Sequence, residues 1–323
     1  MFARLLFPAA ALCATASARD IQSLELTRPE GARHFLLVES GKPAGKRPLV
    51  ILLHGHTGTA AQLLGQGRGA APLSVWLDIA DREGLLLIAA DGAKGSDKQP
   101  GWNDCRSDAA SNPHTDDVGF IAALIDHAVA KYRADPSRVY VMGMSNGGMM
   151  TFRLAAELPA KITAIAAVSS SMAAKSSCAI PPRPLSVLII SGDADPLVPF
   201  TGGDVTFFSS KSRGSVVGIE TAAKLWRELD QLPAQPSISE SLPHRDAADP
   251  TAATRTIWSA DPKRHQVELM RISRGGHVEP SARQRIGRLY QSIVGPQNGD
   301  FEAAEEAWAF FKTKKADAAG GTK

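Results

Sequence analysis

The chain has 323 residues, of which 44% are hydrophobic and 21% charged, and a formal net charge of +3. This composition is ordinary for a globular protein and fits one large α/β domain. Its Lys and Arg residues are scattered rather than gathered into the basic stripe that nucleic-acid binding requires. No run of about twenty apolar residues is present to form a membrane span.

The N-terminus reads as an export signal. Arg4 precedes an apolar run at 5–11, and Ala16-Ser17-Ala18 supplies an A-x-A site, so cleavage after Ala18 is expected. A lipid-anchored form would need a small residue before Cys13, where Leu12 stands. The expectation is thus a secreted or periplasmic protein, with one domain at 19–314 and a frayed, disordered tail at 315–323. Loss of the leader leaves Cys105 and Cys178. An even pair in an oxidising compartment suggests a disulfide; two unpaired buried thiols are the alternative.

Along the chain, strand-length apolar runs alternate with segments of helical period. That is the pattern of a mostly parallel sheet with helices on both faces. Residues 21–27 and 34–39 read as an opening pair of strands, and 49–53 as a buried strand running into His54-Gly55. A helix over 73–82 leads to a second buried strand at 85–90. Residues 93–113, rich in Gly, Asp, Asn and Ser, read as a long loop. Asp116 opens a helix whose apolar stripe runs from Phe120 to Tyr132, and Asp135-Pro136 ends it. A short strand at 139–142, a helix at 147–158 and strands at 162–168 and 185–190 follow. Segments 254–258 and 266–272 are expected to pair, and 301–311 forms a closing helix.

The strongest chemical signal is Gly143-Met144-Ser145-Asn146-Gly147, set between a strand and a helix. A serine on such a turn is held above the sheet edge. The flanking glycines let neighbouring chain approach without a Cβ clash. Its hydroxyl needs a base to take the proton. After Ser145 the sequence offers His244, His265 and His277. His277 follows Arg274-Gly275-Gly276, directly after the last apolar strand, which puts it at the carboxyl edge of the sheet where ligands bind. His244 and His265 lie in polar surroundings and read as surface residues. The orienting acid is Asp193 or Asp195, which share the turn after the 185–190 strand.

A tetrahedral oxyanion needs two amide donors, each worth roughly 3–4 kcal/mol of barrier. The Asn146 amide is one. The second is expected from the loop after strand 49–53, with His56 as first choice and Thr57 next. Thr57 and Trp102 are also the candidate substrate-binding residues, although a packing role suits Trp102 equally. His54-x-His56 lacks the companion ligands of a zinc site, so no metal and no cofactor are expected. His54 is expected to pin its loop by hydrogen bonds.

Several blocks together resemble one family. They are His54-Gly55, Trp102-Asn103-x-Cys105, Asp116-Asp117-Val118-Gly119-Phe120-Ile121, the stretch from Arg138 to Met150, Gly192-x-x-Asp195-x-x-Val198-Pro199 and Gly275-Gly276-His277. This set is similar to the polyhydroxybutyrate depolymerase and feruloyl-esterase-like group of secreted esterases. The resemblance implies an α/β-hydrolase fold, a triad of Ser145, Asp195 and His277, and a paired Cys105 and Cys178. It implies small or oligomeric esters (hydroxybutyrate, feruloyl or acetyl) as substrates. A peptidase on the same fold and a non-catalytic periplasmic binding protein are the rival readings. The family often follows its histidine with x-Trp-Pro, whereas this chain has Val278-Glu279-Pro280.

Overall fold

The computed structural model describes residues 19–41, 45–179, 181–206, 212–259 and 261–316. The expected leader at 1–18, and the expected tail from 317 onward, lie outside the described residues. The opening strands β1 (Asp20–Arg28) and β2 (Gly31–Glu39) form an antiparallel pair. They are followed by β3 (Arg47–Leu53), β4 (Leu86–Ala90), β5 (Ala134–Met144), β6 (Ala164–Val168) and β7 (Ser186–Gly192). The last three strands are β8 (Ile238–Ser241), β9 (Ala252–Trp258) and β10 (Val267–Ser273).

All ten lie in one sheet in the order β1-β2-β4-β3-β5-β6-β7-β10-β9-β8. The middle strands from β4 to β10 are mutually parallel, and an antiparallel pair closes each edge. Every residue of β3, β4, β6 and β7 is buried. That double-sided burial is why they read as continuous apolar runs without alternation.

Among the described residues, seven α-helices accompany the sheet: α1 (Ala60–Leu63), α2 (Val75–Glu83), α3 (Asp117–Tyr132), α4 (Asn146–Glu157), α5 (Ile219–Leu229), α6 (Arg288–Val294) and α7 (Ala303–Phe311). Leu49, Ile51 and Leu53 point into one core with Phe120, Leu124 and Leu154 of α3 and α4 and Trp226 of α5. Val50 and Leu52 point to the opposite core, which holds Trp76 of α2 and Trp308 and Phe311 of α7. The period-two alternation within β3 thus feeds both faces. The result is a single α/β domain whose parallel strands all end on one edge. No helix among the described residues is long and apolar enough to cross a membrane.

Two boundaries differ from expectation for local reasons. β5 begins before the Asp135-Pro136 break, because Ala134 pairs with Arg47 and the register then jumps to Val139 opposite Leu49. The bulge spares Pro136 from donating to the ladder. β8 carries no apolar signal, since each of its residues is exposed at the sheet edge.

Cys105 and Cys178 are bonded, with Cα atoms 5.4 Å apart, which settles the choice between a bridge and two free thiols. The bridge joins the 93–113 loop to the segment after β6, alongside backbone bonds Ser107 N–Lys175 O (2.9 Å) and Ser177 N–Cys105 O (2.8 Å). The bonded residues are 73 apart in sequence, so loop closure predicts a loss of roughly 4 kcal/mol for Cys105→Ser with Cys178→Ser. Urea unfolding of the variant against the oxidised wild type measures it; equal midpoints would show that the bridge adds nothing.

Candidate active site

The edge where β3, β5, β7 and β10 end carries a cleft of about 610 Å³, lined by Ser145, His277, Asn146 and His56 among others. Ser145 follows β5 directly and precedes α4, with φ 54° and ψ −122°. Few non-glycine residues occupy that region, and strain of this kind clusters at functional sites. The turn is held because the Ser145 amide donates to the Val168 carbonyl (2.9 Å) and the Met149 amide returns to the Ser145 carbonyl (2.9 Å). Glycine is compulsory on both sides. A Cβ on Gly143 would sit 2.3 Å from the Gly147 carbonyl, and one on Gly147 would sit 2.3 Å from the Leu53 carbonyl oxygen.

Asp195 and His277 reach the cleft from the loops after β7 and β10. His277 Nδ1 lies 2.7 Å from Asp195 Oδ2, and both side chains are buried. Asp195 Oδ1 accepts the amides of Leu197 and Val198, each at 2.8 Å. The carboxylate is an acceptor, so Nδ1 carries the proton and Nε2 is left basic. The backbone fixes the ring as well, since the His277 amide donates to the Val294 carbonyl at the end of α6 (2.6 Å).

Asp193 takes another place. Its carboxylate accepts from Arg271 (2.9 and 3.0 Å) and from the Arg274 amide (2.6 Å), which shapes the turn leading to His277. Of the two competing aspartates, only Asp195 meets the imidazole. His244 and His265 are exposed, as expected, and His244 pairs with Asp300.

Asn146 is the first residue of α4, where backbone amides have no partner within the helix and the helix dipole is positive. Its side chain is locked. Oδ1 accepts the Trp102 amide (2.7 Å), and Nδ2 donates to the Trp102 carbonyl (3.2 Å) and to Asp104 Oδ2 (2.7 Å). Asp104 in turn forms a buried pair with Arg106 (2.7 Å). This Asp104–Arg106 support had no sequence signal beyond its position in a polar loop.

In the loop after β3, the Thr57 amide is used by the Pro100 carbonyl (2.9 Å), which removes it as the second oxyanion donor. Thr57, at φ 69°, does line the cleft. His54 is buried and pins the loop as expected. Its Nε2 accepts the Gly92 amide (2.9 Å), so Nδ1 is protonated and donates to the Gly55 carbonyl (2.7 Å). Burial pushes its pKa below the usual histidine value.

The His56 ring contacts two groups absent from the sequence reading. Nδ1 accepts from Arg213 (3.1 Å), and Nε2 lies 3.2 Å from Asp97. Burial, then the Arg213 charge, pushes its pKa down to about 4. The ring is therefore neutral at physiological pH, and its nitrogens face Arg213 and Asp97.

Trp102 requires a correction. It is fully buried and does not line the cleft. Its Nε1 donates to the His54 carbonyl (2.8 Å) and its ring packs on His54. The indole is a floor beneath the β3 loop, so the packing reading holds and the substrate-lining one does not. The adjacent aspartates also divide their labour. Asp116 caps α3 by accepting the Gly119 amide (2.8 Å). Buried Asp117 accepts from Arg33 and from the Asn103 amide (2.7 Å each), which braces the loop next to Trp102.

With this geometry established, comparison with known proteins is specific. NocK of Nocardia uniformis subsp. tsuyamanensis, provisionally named an esterase, is 36% identical over 193 residues, covering 58% of this chain and 51% of its own. Feruloyl esterase B of Neurospora crassa is 34% identical over 176 residues, covering 52% and 55%. The chain thus spans about half the length of these relatives. In fold it is similar to an acetyl xylan esterase from Aspergillus awamori, with a TM-score of 0.53 and 16% identity over 85% of this chain and 97% of that one. The profile of the family described as Esterase PHB depolymerase matches residues 33–207, over half of the chain, and the chain belongs to that family.

Proposed function

We propose that this chain is an exported serine esterase that hydrolyses carboxylic esters, oligomeric hydroxybutyrate, feruloyl or acetyl esters among them, through an acyl-enzyme on Ser145. The observation that carries the reading is the strained Ser145 turn opening on the same cleft as an imidazole whose Nδ1 is held by Asp195. Family membership supports the ester as substrate. The disulfide and the expected leader at 1–18 support export.

In the proposed cycle, Ser145 Oγ attacks the ester carbonyl while His277 Nε2 takes its proton. Buried Asp195 fixes the tautomer and stabilises the imidazolium. The Asn146 and His56 amides bind the oxyanion, helped by the positive end of α4. His277 then gives its proton to the leaving alcohol, and water repeats the sequence on the acyl-enzyme.

Two tests follow. A fluorophosphonate probe should label wild type but not Ser145→Ala, and that variant should lose as much as about 10⁶-fold in kcat on p-nitrophenyl butyrate. Unchanged labelling of Ser145→Ala would move the nucleophile elsewhere. Asp195→Asn should cost about 10⁴-fold in kcat by presenting the wrong tautomer. Asp193→Asn should cost less than about tenfold, since it loosens only a turn. Equal losses in the two variants would contradict the assignment of the acid.

A further inference from the structure

Glu279 stands two residues after His277, in the wall of the catalytic cleft, and is half-buried. Its surroundings are unusual for an acid. Among the described residues, no Arg or Lys forms an ion pair with its carboxyl. Burial pushes the carboxyl above the ordinary carboxylate range.

The backbone around it is nonetheless firmly set. The Glu279 carbonyl accepts from Gln297 Nε2 (2.9 Å), and α6 closes over the segment through the His277 amide. Tyr290, on α6 and half-exposed, lines the same cleft and feels the Glu279 charge.

An acid kept in a cleft wall without a counter-ion is a cost to stability. A rigid frame that preserves such a cost beside the reacting centre is what a recognition group requires. Val278, Leu197 and Ile286 line the cleft too, along with Arg68, Arg106 and Arg213, so apolar surface and polar groups share its wall. That is the usual composition of a small-molecule site.

We propose that Glu279 is a specificity-determining residue whose carboxyl accepts a hydrogen bond from a neutral hydroxyl of the ester substrate. The inference rests on the serine-esterase reading and narrows its substrate to hydroxylated esters. The hydroxyl belongs either to the acyl chain, as in a 3-hydroxyacyl ester, or to the alcohol, as in a polyol ester. A lost partner for a carboxylate acceptor is worth about tenfold or more in binding.

The test uses the purified full chain with three esters: ethyl butyrate, ethyl 3-hydroxybutyrate and glycerol 1-butyrate. The readout is the ratio of kcat/KM for each hydroxylated ester to that for ethyl butyrate. Glu279→Ala should lower one of these ratios about tenfold, chiefly through KM. Glu279→Gln, which keeps an acceptor oxygen, should retain the ratio within about threefold. A fall confined to the glycerol ester places the hydroxyl on the alcohol; a fall confined to the hydroxybutyrate places it on the acyl chain.

Unchanged ratios in Glu279→Ala, whether the absolute rates hold or fall together, would overturn the proposal. So would a Gln variant as impaired as the Ala variant, because an acceptor oxygen at this position would then not be what the hydroxyl uses. Inactivity of wild type on all three esters, with Ser145 unlabelled by fluorophosphonate, would overturn the serine-esterase reading and this one with it. Inactivity with Ser145 still labelled would overturn the hydroxyl assignment alone.

Discussion

Ser145 is held at φ 54° and ψ −122°, and most of what surrounds it exists to keep it there. A backbone in that region costs of order 1–3 kcal/mol and persists only when its neighbours over-determine it. Here the parallel sheet supplies the constraint. β5 delivers the chain to the edge, the Val168 carbonyl of β6 holds the Ser145 amide, and α4 starts at once. Gly147 lies so close to the end of β3 that a Cβ would collide with the Leu53 carbonyl. The turn is therefore wedged between two strands, with Ser145 lining the cleft and the first amides of a helix beside it.

Around that turn the polar groups hold one another by hydrogen bonds. Asp195 is buried, yet each oxygen has a donor, from His277 or from the Leu197 and Val198 amides. A buried carboxylate satisfied in this way stays an acceptor and dictates which imidazole nitrogen is basic. His54 and His56 stand in the loop after β3, and burial lowers the pKa of both. Neutral rings would add no positive charge to compete with the imidazolium that the proposed cycle forms on His277. Trp102, Asn146 and Asp104 tie the β3 loop, the 93–113 loop and α4 into one network beneath the cleft.

What the sequence revealed follows from how local each signal is. Buried parallel strands announce themselves as apolar runs, and a strand–Gly-x-Ser-x-Gly–helix unit carries its own context. The positions of Ser145 and His277 at the cleft were accordingly legible from their flanks alone. The choice between Asp193 and Asp195 was not, since both sit in one turn. It depends on Arg271, which is in a different strand and draws Asp193 away. Trp102 illustrates the same limit. An indole in a polar loop reads as a cleft residue until its hydrogen bond to the His54 carbonyl places it underneath. Arg213 and Asp97 come from two separated segments and meet the site only through the tertiary path, so no spacing rule reaches them. β8 escaped notice because an exposed edge strand needs no apolar residues.

The central claim is that Ser145 carries the acyl group during turnover, and rapid acid quench with p-nitrophenyl butyrate, followed by peptide mass spectrometry, tests it most directly. The account predicts a butyryl adduct on the peptide containing Ser145, formed within the first turnover and lost as hydrolysis completes. An adduct on any other residue, or steady turnover with none at Ser145, would contradict it.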